Sequence, residues 1–151
     1  MTSLNLEQAR HYINDIDFTA VYDKLTRDDI LRPYGYKWAP EEAEIAISNY
    51  KKFLYILVKY HKDFDTILPT LEIDEIWHNH ILDTEKYIKD CDVLFGRYYH
   101  HYPYFGIDDQ QVFGISSCIP EKFQLTQRLF LIEYGEILDA TPKKAPPQYS
   151  A

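Results

Sequence analysis

Apolar residues along this chain recur at helical spacing. Leu6, Ala9, Ile13 and Ile16 share one face of a helix expected over about residues 5–15. Phe18, Val21, Tyr22 and Leu25 repeat the pattern in a shorter second helix ending near Arg27. Pro33, Gly35 and Pro40 then mark residues 28–40 as a loop. Pro40 followed by Glu41 and Glu42 is a favourable helix start, because acidic side chains there oppose the dipole. Ile45, Ile47, Tyr50, Phe53, Leu54, Leu57, Val58 and His61 outline a broad apolar face on the longest expected helix, about residues 41–62. Thr70 is the expected N-cap of another helical pattern running from Leu71 to Phe95, with Gly96 either ending it or bending the chain so that it continues. A short helix is expected over 108–117. Pro120-Glu121 opens a last one through Ile137, with Phe123, Leu125, Leu129, Ile132 and Ile137 facing inward.

Five glycines and no alternating β-branched runs argue against sheet. The expectation is an all-α single compact domain of five to seven helices over residues 1–140. A tail over 141–151, TPKKAPPQYSA, has three prolines and no core-forming pattern, and is expected to be flexible and disordered.

Composition narrows the class. The chain has 151 residues, 46% hydrophobic and 16% aromatic, enough apolar side chain for one core and too much for a disordered polymer. With 24 acidic against 16 basic residues the formal charge is −8, which argues against a nucleic-acid binder. The most apolar stretch, Phe53 to Val58, falls far short of the roughly 20 residues that span a bilayer. The start, MTSLNLEQAR, has neither a basic nor an apolar signal region, so a cytoplasmic location is expected. Cys91 and Cys118 are then expected as free thiols. Pro146, Pro147 and Tyr149 fit the P-P-x-Y form read by WW domains, which makes such a domain a candidate partner of the tail.

One segment changes the picture. Four of the six histidines and one of the two cysteines lie between residues 78 and 101. Imidazole and thiolate are preferred ligands of zinc and other transition metals, which makes His78, His80, Cys91 and His101 candidate ligands. Asp74, Trp77, Asp83, Thr84, Tyr87 and His100 are candidates to line the site or orient its ligands. On a straight helix His78 and His80 point about 200° apart. Asp74, His78, Ile81 and Glu85 form one stripe; His80, Thr84, Tyr87 and Cys91 form another, the preferred candidate. His80 and Cys91 lie about 16 Å apart along an unbroken axis, so a shared ion needs a helix break, expected at Leu82-Asp83 with Asp83 as the new cap.

The same residues also suit a metal-free polar network in the core. A cysteine nucleophile is disfavoured, because Asp90 and Asp92 flank Cys91 and raise its thiol pKa. Three functions are therefore carried forward. The first is a small binding module with a His/Cys/Asp centre, holding zinc or another transition metal. The second is a metal-assisted or His/Asp acid–base hydrolase, and the third an adaptor whose cluster is structural.

Ile73 to Cys91 (I-D-E-I-W-H-N-H-I-L-D-T-E-K-Y-I-K-D-C), then Phe95-Gly96, then His100 to Gly106, together resemble the bacterial glycine-rich domain-containing protein-like family. Tyr50, Phe53-Leu54 and Leu68-Pro69-Thr70 extend the resemblance to about residues 38–106. By this resemblance Asp74, Trp77, His78, His80, Thr84, Tyr87, Cys91, His100 and His101 are motif positions. The chain lacks a glycine-rich segment, so nothing tied to that segment carries over. The resemblance implies that the cluster is a unit and assigns it no reaction.

Overall fold

Each helix begins or ends on a recognisable local device. The computed structural model describes residues 4–28, 37–104 and 121–139. Within them lie α1 (Leu6–Asp15), α2 (Thr19–Thr26), α3 (Pro40–Tyr60), α4 (Leu71–Leu82), α5 (Thr84–Phe95) and α6 (Glu121–Tyr134), with no strand among the described residues. The protein is all-α.

Asn5 and Gln8 open α1 with a reciprocal capping box: Gln8 N donates to Asn5 Oδ1 at 2.8 Å and Asn5 N to Gln8 Oε1 at 3.0 Å. Pro40 starts α3 with Glu41 and Glu42 in its first turn. Thr70 caps α4 as expected, its Oγ1 accepting from Ile73 N at 3.1 Å. Gly96 (φ 71°) ends α5 in the left-handed conformation that a side chain would resist, and Gly135 (φ 63°) follows α6 the same way.

Helix α3 is the hub, packing on α1, α2, α4 and α6, while α5 packs on α4. Its buried Tyr50, Phe53, Ile56 and Leu57 share one core with Ile13 of α1, Leu25 of α2, Ile73, Ile76 and Trp77 of α4, and Phe130 of α6. Thr126 Oγ1 of α6 donates to Leu68 O at 2.8 Å, which ties α6 to the chain leading into α4.

The structure differs from the sequence pattern in several places, beginning with Leu6, which is exposed at the start of α1. Residues 71–95 form two helices, broken at Asp83 (φ −82°, ψ 75°). Ile45 is exposed, because Ala43, Ala46 and Tyr50 share the buried face of α3 and Ile45 points roughly 100–160° away from them. Ile132 and Ile137 are exposed as well, Ile137 at 86%. Ile132 points roughly 200° round the helix from buried Phe130, and Ile137 lies past the Gly135 turn.

The expected helix at 108–117, Cys118, the tail at 141–151 and its Pro146-Pro147-Gln148-Tyr149 motif lie outside the described residues, as does most of the 28–40 loop. No described helix is long and apolar enough to cross a membrane.

Candidate functional site

The site grows from the first turns of α4 and from the chain that returns past it after α5. Asp74 and His78 stand one turn apart on α4, so their side chains meet on one face. The turn at Gly96 sends residues 97–104 back over that helix. Tyr87 fastens them: its hydroxyl accepts from Trp77 Nε1 at 3.1 Å and donates to Tyr99 O at 2.6 Å. Tyr99 stacks on Phe95 at 4.5 Å between ring centres, and its ring also lies against Trp77. His101 is thereby delivered onto Trp77, ring centres 4.2 Å apart.

Three donor groups converge there. His101 Nε2 lies 2.6 Å from Asp74 Oδ1, and His78 Nε2 lies 3.1 Å from Asp74 Oδ2. The two imidazole rings are 4.9 Å apart. One ligand atom from each residue falls within 4.8 Å of the others, and among the described residues no second group of three His, Cys, Asp or Glu does so. The His78 side chain is 42% exposed and that of His101 only 7%, so the triad has a closed wall and an open one.

Electrostatics follow from this pairing. Burial pushes the Asp74 carboxyl up, but the hydrogen bonds from His101 and His78 outweigh it and hold the group below its usual range. The hydrogen bond to Asp74 raises His78 above the ordinary imidazole value against a smaller burial effect. A carboxylate facing two imidazoles can hold a divalent transition metal, or act as a proton-exchanging pair.

His80 lies elsewhere. It is 1% exposed, and both ring nitrogens are engaged: Nδ1 with Tyr50 Oη and Nε2 with Asp90 Oδ2, each at 2.7 Å. Asp90 also accepts from Tyr12 Oη at 2.7 Å. With both nitrogens bonded, His80 has no lone pair to offer an ion. The helix break at Leu82-Asp83 does occur, but it turns Asp90, not Cys91, toward His80. Cys91 is a free, buried thiol, pushed up chiefly by burial, and belongs to no three-ligand group among the described residues.

Of the four candidate ligands, then, His78 and His101 meet, joined by Asp74, while His80 and Cys91 stand apart. Trp77 and Tyr87 build the wall and the fastening. Asp83 and Thr84 are exposed at the break, and the Asp83 side chain makes no capping hydrogen bond because its backbone leaves the helix in another geometry. His100 is exposed against Tyr98, off the triad. Sequence reasoning missed Tyr50 and Asp90 as partners of His80, and Tyr12 as the further donor to Asp90. The two tyrosines are hidden among fourteen, and Asp90 reads only as a neighbour of Cys91.

No curated protein and no solved structure gives a significant match to this chain. One family model does match, over residues 9–120. It overturns the resemblance to the glycine-rich domain-containing protein-like family. That resemblance rested on short His- and Tyr-rich motifs within 38–106, whereas the matching model starts inside α1 and takes in every helix through α5 together with the whole triad. The chain belongs to the UCP032817-like family.

Proposed function

We propose that this protein is a small metal-binding module whose ion, zinc or another divalent transition metal, is held by Asp74, His78 and His101. The observation that carries this reading is the convergence of one carboxylate oxygen and two imidazole nitrogens within 4.8 Å of one another. Two imidazoles and a carboxylate are a ligand set that zinc and ferrous iron accept, and three protein ligands leave coordination positions for water or a substrate. Exposure of His78 supports access from solvent. A water on such an ion loses its proton near neutrality, which would extend the module to metal-assisted hydrolysis.

Purified protein is expected to carry metal in near-equal molar amount by elemental analysis, and to show cobalt d–d absorption after exchange. Asp74→Asn, His78→Ala and His101→Ala should abolish both signals, while His100→Ala keeps them. Metal-free protein that takes up neither zinc nor cobalt, and melts unchanged with or without a chelator, rejects the reading.

A second reading is favoured by the contact of half-exposed His78 Nε2 with Asp74 Oδ2 at 3.1 Å: a metal-free His78–Asp74 acid–base pair. In that case any hydrolytic activity survives chelation and is lost in His78→Gln.

A further inference from the structure

The turn of α4 before His78 decides which of its nitrogens can meet an ion. In a helix each side chain leans back toward the N-terminus, over the residues three and four positions earlier. For His78 these are Glu75 and Asp74, and its two ring nitrogens are divided between their carboxylates. Nε2 lies 3.1 Å from Asp74 Oδ2, and Nδ1 lies 4.0 Å from Glu75 Oε1. The Glu75 side chain is only 21% exposed, so its carboxylate is held against the ring rather than out in solvent.

A neutral imidazole carries one N–H and one lone pair, and the partner of the first decides where the second points. A carboxylate beside Nδ1 favours the hydrogen there. The lone pair is then on Nε2, the nitrogen that faces Asp74 in the triad. Charge argues the same way. Two neutral imidazoles and one carboxylate leave a divalent ion with one uncompensated positive charge in a partly buried site, and a second carboxylate next to the ring offsets it.

We infer that Glu75 is a positioning residue of the proposed metal site: its carboxylate accepts the hydrogen of His78 Nδ1, which fixes the ring and directs Nε2 to the ion. The inference rests on the metal reading above. The Glu75 carboxylate ends a chain of rotatable bonds, so it closes the 4.0 Å gap to hydrogen-bond length when the ion takes Nε2.

The test is cobalt titration of the full chain, followed by absorption, in wild type, Glu75→Ala and Glu75→Gln. Glu75→Ala is expected to weaken cobalt affinity about 10- to 100-fold, the usual cost of removing a carboxylate behind a ligating imidazole. Glu75→Gln recovers part of that loss, because its amide oxygen still accepts from Nδ1. Should Glu75→Ala lower the melting temperature of the metal-free protein, Glu75→Gln, which keeps the size of the side chain, carries the affinity comparison. Nitrogen NMR of the zinc-loaded protein supplies a readout that a purely structural role would not move. Wild-type His78 is expected with Nε2 on the ion and a slowly exchanging proton on Nδ1, and that proton exchanges fast in Glu75→Ala. Unchanged cobalt affinity in both variants, or zinc held through His78 Nδ1, overturns the assignment and leaves the metal reading standing. Wild-type protein that takes up no metal rejects the metal reading, and this inference with it.

Discussion

At the scale of the residue, two histidines two positions apart have opposite fates because a helix turns about 100° per residue. His78 faces Asp74 and solvent; His80 faces the core, locked between Tyr50 and Asp90. Asp90→Asn is expected to cost about 2–4 kcal/mol in urea unfolding, because His80 and Tyr12 would both lose a charged acceptor in a buried setting.

The Asp74–His78 pair gives a pH signature. Asp74 is held below its unfolded value, so its contribution exists above about pH 3.9 and is lost as pH falls through the folded pKa. His78 is raised, so its contribution is full below about pH 6.5 and is lost as pH rises through its folded pKa. The stability difference between wild type and Asp74→Asn should therefore be widest between those limits and narrow on either side, as thermal melts across pH would show. The His78 part, screened by solvent, stays below about 1 kcal/mol.

At the scale of the element, the site depends on where helices stop. Residues 71–95 carry a continuous helical pattern, yet the break at Asp83 folds α5 back against α4 and Gly96 ends α5. Nothing lies within 4 Å of a Cβ built at Gly96, so Gly96→Ala meets only the cost of its φ of 71°, about 1–2 kcal/mol. Because that turn sends His101 toward Asp74, the same substitution should also weaken cobalt binding, measured by absorption titration. Thr70→Ala should cost about 1 kcal/mol in urea unfolding through loss of the α4 cap.

The fate of the apolar positions is also settled element by element. Ile45 and Ile132 carry the right residue type at nearly the right spacing, but each lies off the direction its helix presents to α3 or its neighbours. Spacing counts residues, while burial depends on which side of the helix a partner occupies.

At the scale of the whole molecule, one hub helix gathers its neighbours around a shared core, with the triad built on the helix that packs most extensively against it. Leu57→Ala, in the middle of that core, is expected to cost about 2–5 kcal/mol, seen as a lower urea midpoint with an unchanged slope. If the triad holds zinc, metal at a hundred times its Kd should stabilise the fold by about 2.7 kcal/mol, and a chelator should remove that gain.

The sequence by itself determined the helical class, most helix starts and stops, and the concentration of metal-type side chains between residues 74 and 101. These are local matters of spacing, caps and composition, written in consecutive residues. Only the tertiary structure decided which of those side chains meet. It brought His101 to the Asp74–His78 stripe and left His80 apart from Cys91, because the break at Asp83 and the turn at Gly96 fix the direction in which the chain comes back. His80 was taken up by Tyr50 and Asp90, residues 30 and 10 positions away, because burying an imidazole requires partners for both nitrogens and the core supplied them from other helices.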